Sequence, residues 1–126
     1  MYYNLLSQLK NAGQAKKESL LLPFSKMDFA VAKVLAETGY AGDVQKKTFG
    51  RREFIEVRVR RGKNGPVLND FKILSKPSRR LYIGYENLKP VKQGYGIAVI
   101  STPNGVMSNK QARKQKVGGE YLFEIW

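Results

Sequence analysis

The chain contains no cysteine and no histidine. The first absence excludes disulfides, thiolate metal sites and thiol nucleophiles. The second removes the commonest metal ligand and the usual general base. Carboxylates are scarce: 10 Asp+Glu stand against 23 Lys+Arg, leaving a formal net charge of +13. No apolar run approaches the roughly 20 residues needed to cross a bilayer. The amino terminus lacks a basic segment followed by an apolar one, so no secretion signal is expected and the expected location is the cytoplasm. Internal repeats, heptads and low-complexity tracts are also missing. No cofactor, metal, membrane or small-molecule substrate is expected.

What remains is enough to fold. At 126 residues with 42% apolar side chains, the chain can bury a core as one compact unit or two small lobes. The positive charge implies a polyanionic partner. It is spread along the chain: residues 1–75 hold 14 Lys+Arg against 7 Asp+Glu, and residues 76–126 hold 9 against 3.

Tyr2, Leu5, Leu6, Leu9 and Ala12 recur at helical spacing and predict a first amphipathic helix ending near Gly13. Lys16 and Lys17 follow on a loop, and Ser19 to Leu22 reads as a short strand stopped by Pro23. Ser25 is a candidate N-cap with Asp28 in the first turn, opening a second helix whose buried stripe is Met27, Ala30, Val31, Val34 and Leu35 and whose stop is Gly39. A polar strand over 40–48, a turn at Gly50-Arg51 and an alternating strand over 53–60 complete a helix-strand-helix-strand-strand order, with helices expected on one face of a small sheet. The basic stretch 61–66 marks a lobe boundary or a charged hairpin connection. The expected division is an N-terminal α+β lobe over 1–65 and a mainly β lobe with a short basic helix over 66–126.

In the second lobe, Phe71 to Ser75 reads as a strand, Lys76 to Arg80 as a basic turn and Leu81 to Ile83 as a short strand. Tyr82 can stack on an unpaired base, a contact worth about 1–3 kcal/mol; it also fits a half-buried strand tyrosine. Gly94-Tyr95-Gly96 is too short for a phosphate-binding fingerprint and reads as a turn leading into a buried strand over 96–100. Thr102-Pro103-Asn104-Gly105 then demands a turn. Ser108 with Gln111 forms a capping-box pattern opening a short helix with Lys110, Arg113 and Lys114 on one face. Gly118-Gly119 is read as the stop of that helix, and Glu120 as the start of a final strand. No acidic residue lies between Glu86 and Glu120. A hydroxyl-bearing turn and a basic helix at one end of a rigid strand can bind phosphate, ribose and base edges. The same spacing also fits an ordinary strand-turn-helix with a solvated basic face.

The pattern Ser101-Thr102-x-x-Gly105-Val106-Met107-Ser108, then Ala112-Arg113 and Val117-Gly118-Gly119-Glu120, resembles the signature of the bacterial-type family of small ribosomal subunit protein eight. Lys76-Pro77 followed by Arg79, Arg80 and Tyr82 resembles it as well, as do Lys10-Asn11-Ala12 and Pro23-Phe24-Ser25-Lys26. Two positions depart from the family pattern: Pro103 stands where a third hydroxyl is usual, and Ser78 where a glycine is usual. The resemblance implies an α+β fold of two lobes packed sheet to sheet with helices outside. It implies a primary binder of the central domain of small-subunit rRNA that helps assemble the platform, with neighbouring small-subunit proteins, five and twelve among them, as partners. Ser101, Thr102, Asn104 and Gly105 would read sugar hydroxyls and base edges. Lys110, Arg113 and Lys114 would hold the adjacent backbone, and Lys76, Arg79, Arg80, Tyr82, Gly118, Gly119 and Glu120 would complete the interface. Glu120, which repels phosphate, would accept a hydrogen bond from the turn or a base amino group. Lys16, Lys17, Arg51, Arg52, Arg60 and Lys63 would contact RNA less specifically. The rival readings are a structured-RNA binder or translational repressor outside the ribosome, and an enzyme built on a Ser-Lys dyad using Ser101 or Ser108.

Overall fold

A computed structural model describes residues 2–15, 17–62, 65–66, 68, 70–91 and 96–126. Lys16, Lys63 and Gly94-Tyr95, named above, lie outside the described residues, as does Lys92. The described residues form three α-helices and ten strands in an α+β arrangement, and contacts group the chain into two units, Met1–Asn69 and Asp70–Trp126.

In the first unit, α1 (Tyr2–Gln14) buries the stripe Tyr2, Leu5, Leu6, Leu9 and Ala12. Each fully buried leucine there contributes about 1.5–3 kcal/mol relative to exposure. After β1 (Ser19–Pro23), Ser25 caps α2 (Lys26–Glu37): its Oγ accepts from the Asp28 amide at 3.2 Å. Asp28 is buried, its Oδ1 has no hydrogen-bond partner among the described residues, and burial raises its pKa. The helix ends in a Schellman motif, with Tyr40 N–H donating to Leu35 O at 2.9 Å and Gly39 N–H to Ala36 O at 3.3 Å, Gly39 sitting at φ +91°. Strands β2 (Val44–Phe49) and β3 (Arg52–Arg58) form a hairpin, and β1 pairs with β3, giving the antiparallel order β1-β3-β2. Leu20, Leu22, Ile55 and Val57 are buried on the face that α1 and α2 cover. Leu21 and Phe49 stand exposed on the other. Two further short strands, β4 (Arg61–Gly62) and β5 (Gly65–Pro66), pair antiparallel.

In the second unit, β10 (Gly119–Ile125) is central. It pairs on one side with β8 (Ile97–Thr102) and on the other with β6 (Phe71–Ile73) and β7 (Tyr82–Ile83). A 3-10 turn spans Tyr85–Asn87. The expected strand-turn-helix becomes strand-hairpin-helix: β9 (Gly105–Ser108) folds back on β8 before α3 (Asn109–Gln115) begins. Ser108 serves twice, pairing with Val99 as the last strand residue and capping α3 through Gln111 N–H at 3.3 Å. The glycine pair is not the helix stop. Lys116 ends α3 in the left-handed region, φ 58° and ψ 44°. Gly118 and Gly119 answer a different demand, close approach. A Cβ on Gly118 would stand 2.5 Å from the Ile83 carbonyl oxygen, and one on Gly119 would stand 2.8 Å from the Ser101 carbonyl carbon. Between Tyr121 and Phe123 the register with β8 shifts, leaving Leu122 as a bulge residue whose carbonyl accepts from both Leu74 and Ser75 amides.

Candidate nucleic-acid interface

Register assembles the centre of the candidate interface. Tyr82 pairs with Glu120, Glu120 with Ser101, and Ser101 with Val106, so four strands place these residues in one row on one face of the sheet. Their neighbours Ile100 and Met107 point the other way, where they form a core with Leu88 and Ala112 of α3. The basic helix therefore backs the opposite face of the sheet from the Ser101 row. Lys110, Arg113 and Lys114 are all exposed on it. Asn109, which sequence reasoning missed, pins the start of this helix: its side chain donates to Lys89 O at 3.1 Å and accepts from Ala98 N–H at 3.3 Å. A buried polar residue whose partners lie 11 and 20 positions away leaves no periodic trace.

The two hydroxyls of the turn differ. Ser101 is half-buried in the row. Thr102 is only 8% exposed, and its Oγ1 donates to Gly105 O at 2.7 Å while accepting from Asn104 N–H at 3.1 Å. Thr102 thus shapes the turn from within, and Pro103, Asn104 and Gly105 form its exposed tip.

Glu120 is engaged inside the protein. Its carboxylate accepts from Ser75 Oγ and from Arg80 Nη1 at 3.2 Å. Ser75 Oγ also accepts from Leu81 N–H at 3.3 Å. The Arg80–Glu120 pair neutralises the one acid in the row, which weakens the repulsion a phosphate would meet. As an ion pair with half-exposed Arg80 it adds about 1 kcal/mol at most. Its geometric effect is larger, because it fastens the basic turn to β10. In that turn Lys76 and Arg79 exchange backbone hydrogen bonds of 3.0 Å, and both are exposed, as is Ser78. Tyr82 is 69% exposed. In the sequence Ser75 is only the end of an expected strand. Nothing local marks its link to Glu120, 45 positions away.

Beside Tyr82 lies a pocket of about 330 Å³ lined by Leu74, Leu81, Ile83, Pro90 and Tyr121 among others. Burial, and then the charge and hydrogen bond of Glu124, push the Tyr121 phenol up to about 12. It stays protonated as a donor to Glu124. Among the described residues no group of three metal-ligating side chains converges, and no helix is long and apolar enough to cross a membrane.

In the first unit, Lys17, Arg51, Arg52 and Arg60 are exposed.

Residues 2–126 match the family described as ribosomal protein S8. Similar relatives include the small ribosomal subunit protein uS8 of Mycoplasmopsis agalactiae, 39% identical over 123 residues, covering 98% of this chain and 94% of the relative. That of Caldicellulosiruptor bescii is 40% identical over 124 residues, covering 98% and 94%. That of Nautilia profundicola is 42% identical over 122 residues, covering 96% and 93%.

Proposed function

The chain belongs to the ribosomal protein S8 family, and on that premise we propose that the Ser101 row and the turns beside it grip the central domain of small-subunit rRNA. As a family member the protein is a structural, non-enzymatic constituent of the small ribosomal subunit, with rRNA and ribosomal proteins as partners. The Ser-Lys dyad and the role outside the ribosome are set aside on that ground.

The observation that carries the site is the alignment of Tyr82, Glu120, Ser101 and Val106 across four strands, next to an exposed turn tip and a basic turn. In this reading Ser101 Oγ meets a sugar hydroxyl or base edge in a widened minor groove. The Asn104 amide is taken by Thr102 Oγ1, so the exposed tip adds the Asn104 side chain and the close approach that Gly105 permits, with Thr102 fixing its shape. Tyr82 stacks on an unpaired base, and Lys76 and Arg79 take phosphates. Arg80 stays paired with Glu120 and presents its free edge. Gly118 and Gly119 serve by letting β10 approach β7 and β8. The cations of α3 hold backbone that passes the other side of the sheet. Small-subunit proteins five and twelve are the neighbours proposed.

The test is Ser101→Ala. Binding to a central-domain rRNA fragment should weaken about five- to tenfold, the value of one hydrogen bond, while binding to a random RNA duplex holds. Equal losses on both would remove the specificity role.

A further inference from the structure

The β2–β3 hairpin of the first unit carries a surface that the proposed site leaves unused. Phe49, the last residue of β2, is 56% exposed. Its ring is steadied by Phe54, with centroids 5.7 Å apart and planes inclined at 59°. Arg52 pairs directly with Phe49, so the two side chains leave the same face of the hairpin. Gly50 turns the chain at φ +64°, with open space where a side chain would be, and Arg51 is exposed beside it. The hairpin's acids are already occupied: Glu53 pairs with Lys46 at 3.4 Å and Glu56 with Lys47 at 2.9 Å. Among the described residues neither Arg51 nor Arg52 has an acidic partner.

We propose that this hairpin tip is a second RNA contact, which stacks the base of an unpaired rRNA nucleotide on Phe49 while Arg51 and Arg52 take its flanking phosphates. The proposal rests on the reading of the protein as an rRNA binder. A fixed aromatic face with cations at its edge matches an unpaired nucleotide, which offers a π-face and an anion within one unit. An apolar protein segment would cover the ring but leave two guanidiniums without counter-charge.

The experiment uses the full chain and full-length small-subunit rRNA, reading affinity and chemical protection of unpaired bases. Phe49→Ala and Phe49→Ile should each bind about fivefold more weakly or worse, the low end of the stacking range, and should expose one unpaired base that the parent protein protects. Phe49→Trp should restore both readouts, and Arg52→Gln should flatten the salt dependence. If Phe49→Ile binds and protects like the parent, the ring acts only as apolar bulk and the proposal is overturned. It is equally overturned if Phe49→Ala binds naked rRNA normally yet is lost from assembled subunits, since the occupant is then a protein. Ser101→Ala run in parallel separates the two readings. Weakening there with no effect at Phe49 overturns the hairpin contact alone, and no effect at either position overturns both.

Discussion

Gly119 shows how a residue can be noticed for one reason and needed for another. The glycine pair reads locally as a helix stop, but α3 is already closed by Lys116 in the left-handed region. The pair is required because β10 lies against the backbone of Ser101, Thr102 and Ile83, a demand set by strands that are distant in sequence. Gly119→Ala is expected to destabilise the protein by about 3 kcal/mol, the upper part of the range for overpacking. Urea unfolding checks it, and an unchanged midpoint would mean that β8 and β10 can separate freely. Glu120 and Ser75 are a similar case. Their types were visible in sequence, but the hydrogen bond joining them, and the Arg80 contact that completes it, exist only after folding. Asp28 was legible as a first-turn acid that favours the helix dipole. Its burial and unpartnered oxygen were not, because they depend on what packs over the start of α2.

The helices of the first unit were the most legible elements. A 3.6-residue stripe records one buried face, and the serine before α2 records a missing amide partner, so both helices fall where the pattern places them. In α2, however, Met27 and Ala30 of the expected stripe are only half-buried, while Asp28 and Ala32 are buried, because the packed face is turned by about one residue. Strand β9 was not legible. Its four residues, Gly105 to Ser108, carry no alternation and end in a residue whose capping signal points to the helix beyond. That serine can be tested by itself. Ser108→Ala should lower stability by about 1 kcal/mol through loss of the cap. Thermal unfolding measures it, and a larger loss would show that the hydroxyl also supports the hairpin. The relation of α3 to the Ser101 row was missed for the same reason. Helical spacing says which residues share a side of α3, and the strand order alone says which face of the sheet the helix covers.

Across the whole molecule the clearest signal was charge. An excess of 13 positive charges shared by both halves of the chain implies strong attraction to a polyanion whatever the fold. Binding to rRNA should therefore weaken steeply with salt. Lys114→Ala is expected to lower affinity on every RNA tested and to flatten the plot of log affinity against log salt by roughly one unit. Filter binding across a salt series checks it, and an unchanged slope would place that ammonium away from phosphate.

Leu122 adds a constraint of another kind. Take that residue out and Tyr121 would run straight into Phe123, already opposite Val99, so the ladder could zip without a gap. What would vanish is the carbonyl that fastens Leu74 and Ser75, and with it the brace under Glu120. This strand should accept a different aliphatic letter at 122 far more readily than a missing one, so that its length, more than its spelling there, is what inheritance has to preserve.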